Sequence, residues 1–147
     1  MRFKEIAEEL RQIVGGLDAD CIEGRDALRL VRDAADIATL GATAAALLAQ
    51  RCVETGVWAT DRAARAPAVT PAEWFADVTD SGIGVARDAL AVAEALPSCG
   101  ATDEALRSGT LSLTAAREAT AAAAAGGEVA ERRVLATAHE HCSATRS

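Results

Sequence analysis

Lysine is nearly missing from this chain: Lys4 stands alone beside fourteen arginines. Tyrosine is absent, proline occurs three times, and the aromatic residues are two tryptophans and two phenylalanines among 147 residues. Few stretches are rich in Val, Ile or Thr, and that excludes a β-sandwich or barrel. No uncharged apolar run is long enough for a bilayer: the longest, residues 37–50, falls short of the ~20 residues a membrane helix needs. No CxxC pair joins the four cysteines, Cys21, Cys52, Cys99 and Cys142. Met1-Arg2-Phe3-Lys4-Glu5 leads into an acid-containing amphipathic segment and not into the apolar core of a secretory signal, so the expectation is a cytoplasmic protein with reduced thiols. Net charge is −7, with acidic excess in both halves, which excludes a generally basic nucleic-acid surface but leaves room for a local arginine patch.

What the chain does have is alanine, 37 residues of it, within a hydrophobic content of 50%. Methyl groups supply little area each, so burying them calls for helices packed closely together. The patterning agrees. Residues 3–17 put Phe3, Ile6, Ala7, Leu10, Ile13, Val14 and Leu17 on one helical face, with Gly15-Gly16 as the stop. From Arg25 to about Val57 the helical pattern is unbroken but for Gly41. Leu28, Val31, Ala35, Ala38, Ala42, Ala45 and Ala49 form one stripe, with Leu30, Ile37, Leu40, Ala44 and Leu47 beside it. That is a long helix, apolar on more than one side, which serves either inside a bundle or as a dimerisation surface.

Thr55 to Val69 reads as a loop with a short helical turn around Trp58 to Arg65. Thr70-Pro71-Ala72-Glu73 is a capping box with proline at the first helical position, opening a helix over 71–79. A turn at Asp80-Ser81-Gly82 leads to a helix over 84–96, with Val85, Ala86, Ala89, Leu90, Val92, Ala93 and Leu96 facing inward and Pro97 closing it. Short helices over 101–108 and 113–125 follow, the second capped by Ser112. Gly126-Gly127 separates these from a last helical piece, 128 to about 141, and a frayed tail. The fold class expected is all-α: an alanine-rich helical bundle with one long central helix and two consecutive short helix-turn-helix-like units.

Chemistry is harder to find. His139-Glu140-His141-Cys142 has zinc-ligand types, but two residues apart on a helix point roughly 200° away from each other, and a structural site needs four ligands, so no metal is expected. There is no phosphate-cradling GxxxxGK[ST] motif, and Gly82-Ile83-Gly84 lacks the preceding strand and third glycine of a dinucleotide loop. No serine has a base outside the tail. Carboxylate pairs such as Glu8-Glu9 and Asp103-Glu104 suit surface and helix-start positions. No catalytic residue, cofactor or metal site is expected.

Two helix–turn–helix units do carry a pattern. One runs from Trp74-Phe75-Ala76 through Thr79 to Ala86-Arg87. The other runs from Ala105-Leu106 through Gly109-Thr110-Leu111-Ser112 to Ala116-Arg117. In each the second helix brings Ala-Arg within its first two turns, where DNA-reading helices meet phosphates and base edges. A plain helical hairpin with a serine cap is the competing reading.

Together with Ala95-Leu96-Pro97, these residues resemble the bacterial domain-of-unknown-function 222 family. That family shows Trp-Leu-Ala, Thr-Gly-Leu-Ser-x-x-x-Ala-Arg, Ala-Leu-Pro and Gly-x-Leu-Ser-x-x-x-Ala-Arg in this order. The resemblance covers residues 25–125. Its last motif is matched in full, whereas Thr79-Asp80-Ser81-Gly82 departs from Thr-Gly-Leu-Ser. It implies a helical region of the kind that precedes an HNH endonuclease domain, with that catalytic portion absent here; outside it lie the N-terminal amphipathic helix, 1–17, and a C-terminal helix and frayed tail, 128–147. The expectations are a non-catalytic, DNA-associated module with Arg87, Arg117 and Ser112 at the DNA, weak DNA binding, and a homo-oligomer paired through the long helix. The alternative is an oligomerisation or protein-interaction module with no nucleic-acid role.

Overall fold

A computed structural model describes residues 2–64 and 69–146, with side chains described as far as Glu140. The described residues are all-α: six helices, four short 3-10 turns and no strand. They run α1 (Phe3–Gly15), α2 (Gly24–Thr55), α3 (Pro71–Thr79), α4 (Ile83–Ala95), α5 (Gly100–Arg107) and α6 (Leu113–Arg146). The chain divides into two compact units, residues 1–35 and 36–147.

In the first unit, no described residue is buried. Helix α1 has the expected amphipathic pattern, yet Phe3, Ile6, Ile13, Val14 and Leu17 all remain about half exposed or more. The paired glycines stop it as expected, with the Gly16 N–H donating back to Gln12 and Val14.

The second unit holds the cores. In one, Ala46 and Ala49 of α2 pack with Trp74, Phe75 and Ala76 of α3 and Ala86, Ala89, Leu90 and Ala93 of α4. The other joins Val92 and Leu96 to Ala105, Leu106, Leu111, Ala116, Ala119 and Leu135. Alanine at 86, 89 and 93 lets α4 lie close to its neighbours, Ala46 and Ala49 turn the methyl-lined side of α2 to this core, and Trp74 and Phe75 fill the space that methyl groups leave. Trp58 is half-buried against Trp74, their ring centroids 6.2 Å apart, so both tryptophans anchor the core.

Several expectations need adjusting. Only the C-terminal half of α2 is enclosed: its buried residues are Thr43, Ala46 and Ala49, and Ala38 and Ala42 stay exposed. A helix of 32 residues is about 48 Å long, and the short helices α3–α5 cannot cover all of it. Val85, expected inside, is 65% exposed, because α4 buries Ala86, Ala89 and Ala93 and turns the third residue of its first turn outward. The turn around Trp58 is two 3-10 segments, Val57–Thr60 and Arg62–Ala64; Arg65 lies outside the described residues. The tail expected to fray is helical to Arg146, since neither glycine nor proline follows Gly127.

The break at Gly126-Gly127 is as expected. Gly127 takes φ +69° and ψ −163°, a conformation open to glycine alone, and a Cβ at Gly126 would fall 2.8 Å from the Ala130 methyl.

Candidate nucleic-acid interface

Both helix–turn–helix units are present, and each turns on a left-handed residue. In the first, the capping box forms as the sequence requires: the Glu73 N–H donates to Thr70 Oγ1 at 3.2 Å and the Thr70 N–H to Glu73 Oε2 at 2.7 Å. That backbone N–H, with the Thr70 hydroxyl, holds the Glu73 carboxyl below the ordinary range. Helix α3 ends at Asp80 with φ +50°, its N–H donating to Ala76 and Asp77 carbonyls, and the Ser81 N–H also reaches Ala76 O at 2.9 Å. Gly82 then caps α4 without a side-chain bond.

In the second unit the left-handed residue is Gly109, φ +76°, where a Cβ would meet Leu40 Cδ2 at 3.1 Å. The Thr110 N–H and hydroxyl both donate to Ala105 O at 3.1 Å. Leu111 is buried, and Ser112 caps α6 by accepting the Ala115 N–H at 3.2 Å. Asp80 and Gly109 thus do the same backbone task, and the first turn puts an aspartate where glycine would cost less.

The three candidate DNA-contacting residues lie in different settings. Ser112 is exposed, but its oxygen is engaged as the helix cap. Arg117 is about half exposed, and its Nε donates to Asp88 Oδ1 at 3.2 Å, tying α6 to α4. Arg87, one residue before Asp88, is exposed and lines a shallow groove with Gln50, Val53, Thr70, Leu90 and Glu94. Asp88 thus pairs with Arg117, while its sequence neighbour Arg87 faces the groove beside α2 and α3. Glu94 and Glu118 lie on the same two helices, so the surface is charge-balanced rather than basic. A weak, salt-sensitive phosphate contact is within its means; tight binding from these residues alone is not.

A feature outside the sequence expectations lies between α5 and the second half of α6. Glu131 is 2% exposed, and its Oε1 accepts both the Thr102 N–H at 2.8 Å and the Thr102 hydroxyl at 2.6 Å. The carboxylate thereby satisfies a backbone N–H in the first turn of α5 from a helix elsewhere in the sequence. The readable signal was its register: Glu131 shares an inward stripe with Val134, Leu135 and Ala138, a lone carboxylate at core spacing. Burial, and then the nearby Glu131 charge, push the buried Cys99 thiol up from its ordinary value.

Beside this pair is an open cavity of about 750 Å³ whose lining includes Glu104, Glu128, Glu131, Arg132 and His139. Arg132 is engaged by Glu128. Among the described residues no cluster of three or more His, Cys, Asp or Glu side chains could hold a metal ion. His139 is exposed on α6, while the side chains of His141 and Cys142 lie outside the described residues.

No family model, no curated protein and no solved structure matches this chain. Among the described residues no helix is long and apolar enough to cross a membrane.

Proposed function

We propose that the chain is a non-catalytic helical module that associates weakly with DNA, of the kind that accompanies HNH-type nuclease domains in the family it resembles. The observation that supports this reading is the tandem arrangement: two capped helix–turn–helix units carry Arg87 and Arg117 on exposed turns of α4 and α6, with Arg117 paired to Asp88. Arginine at that place suits phosphate or base-edge contact, and acidic neighbours keep it weak. Such a module lends position to a catalytic partner and leaves cleavage to it, in a reducing compartment that suits the free Cys21, Cys52 and Cys99. Gel retardation of a short duplex at low salt tests the reading. Retardation at micromolar protein that fades with salt and weakens in Arg117→Ala is expected; no retardation even at low salt removes it.

A second reading, helical self-association, is favoured by a different observation: large apolar side chains along α1 and the first half of α2 are bare. In that reading the exposed part of the α2 stripe, including Ala38 and Ala42, pairs with its copy. Ala38→Glu with Ala42→Glu then gives monomers by light scattering, and an unchanged mass counts against it.

A further inference from the structure

The cavity between α5 and the second half of α6 contains a carboxylate buried without a cation. Glu131 is 2% exposed, and both of its hydrogen bonds, from the Thr102 N–H and the Thr102 hydroxyl, end on Oε1. Its other oxygen, Oε2, accepts none among the described residues. The fully buried side-chain atoms left without a partner are Thr43 Oγ1 and Trp74 Nε1. Oε2 is not one of them, so it is the oxygen that opens into the cavity that Glu131 lines. A buried carboxylate with no opposite charge is costly, and one that faces a cavity is where a ligand would supply the missing partner.

The rest of the lining decides the chemistry of that ligand. Glu128 is already neutralised by Arg132, 2.8 Å away at an exposed position. Glu104, exposed on α5, has no ion pair among the described residues, and neither has Glu131. The cavity therefore offers two carboxylates without a cation, one buried and one open to solvent. Ala101, Ala105, Leu135 and Ala136 give it an aliphatic wall, and no Trp, Tyr or Phe is present to cage a quaternary ammonium. Among the described residues no group of three His, Cys, Asp or Glu suits a metal ion. A guanidinium fork prefers both oxygens of a carboxylate, and Thr102 already occupies Oε1. A compact ammonium fits the single free oxygen better.

We propose that this cavity binds a short aliphatic diamine, with one ammonium on Glu131 Oε2, the other on Glu104, and the methylenes along Ala101, Ala105 and Leu135. Its volume of about 750 Å³ is ample for such a molecule. The lining includes neither Arg87 nor Arg117 and shares no residue with the groove beside Arg87, so the proposal goes beyond the DNA reading and stands without it.

Isothermal titration calorimetry of the full chain with 1,4-diaminobutane tests this. Saturable one-to-one binding is expected, with 1-aminobutane roughly two- to fivefold weaker because it leaves Glu104 unpaired. Glu131→Gln keeps an oxygen for Thr102 and turns its NH₂ toward the cavity, and is expected to weaken diamine binding by about tenfold or more. Ala136→Phe, at an exposed lining residue outside both cores, fills the space and is expected to abolish binding, which tests the site even where Glu131→Gln fails to fold. Glu118→Gln, outside the lining, is expected to bind as the wild type does. No saturable binding at millimolar diamine overturns the proposal. So does undiminished binding by folded Glu131→Gln or Ala136→Phe, or a loss in Glu118→Gln equal to that in Glu131→Gln, which would mark general attraction to an acidic chain.

Discussion

Glu131 holds the start of α5 by both donors of a single residue: one carboxylate oxygen accepts the Thr102 N–H and the Thr102 hydroxyl, at 2.8 and 2.6 Å, inside the fold. Neither group has water to fall back on. Removing the acceptor leaves two buried donors unsatisfied, and unsatisfied buried groups cost more than a made hydrogen bond gains. Glu131→Ala is therefore expected to lower unfolding free energy by roughly 2–4 kcal/mol. Thr102→Val, which retains the N–H, should cost less, and the double variant should cost less than the sum of the two. Urea denaturation of the three variants measures the coupling, and strict additivity would show that the pair does not act together.

Thr43 presents the opposite case. It is 4% exposed on α2, and its hydroxyl has no hydrogen-bond partner among the described residues. Valine keeps the branched shape and removes the unsatisfied group, so Thr43→Val is expected to stabilise by roughly 1 kcal/mol. A loss of stability in thermal unfolding would mean that the hydroxyl is satisfied in solution.

The paired left-handed residues of the two turns should respond in opposite directions. Gly109→Ala sets a Cβ 3.1 Å from Leu40 at positive φ and is expected to destabilise by about 1–2 kcal/mol. Asp80→Gly relieves a positive φ of 50° in the first turn and should be neutral or mildly stabilising, against the usual cost of introducing glycine. Chemical denaturation of both variants checks the sign, and equal losses at both would contradict the equivalence of the turns.

Cys99 gives the fold a dependence on alkaline pH. Its thiol is raised in the folded protein by burial first and Glu131 second. The sign follows: the unfolded chain releases this proton near the ordinary value of 9.0 while the folded chain still holds it. Stability from this group is thus complete below that value and is lost as pH rises from it toward the raised folded value. The difference in urea midpoint between wild type and Cys99→Ala should shift against the wild type as pH rises from 8 to about 10, the window set by that direction. A difference that stays constant over this range would place the thiol in a more solvated or neutral setting.

Much of this molecule was legible because its punctuation is strong. Thr70-Pro71-Ala72-Glu73 set the start of α3 at Pro71, and Gly15-Gly16, Pro97, Gly109 and Gly127 marked ends or breaks that the backbone respects. Periodicity identified the inner face of α4, apart from Val85. Three things were not legible, each for a physical reason. The bare front half of α2 depends on how much neighbouring helix exists to cover it, which no local pattern states. The continuation of α6 to Arg146 followed from an absence of breakers rather than from a signal. The Glu131–Thr102 and Arg117–Asp88 contacts join helices far apart in sequence, and charge spacing reveals partners only within one helix.

Arg117 and Asp88 also bear most directly on the proposed role, because the same contact that fastens α6 to α4 occupies the guanidinium proposed to meet DNA. The decisive measurement is the salt dependence of duplex binding, followed by fluorescence anisotropy, for wild type, Asp88→Asn and Arg117→Ala. Asp88→Asn is expected to bind roughly two- to fivefold more tightly at low salt, as release from an exposed ion pair allows. Arg117→Ala is expected to bind more weakly, with a log–log salt slope shallower by about one. Identical curves for all three proteins, or tighter binding by Arg117→Ala, would rule out the proposed DNA contact.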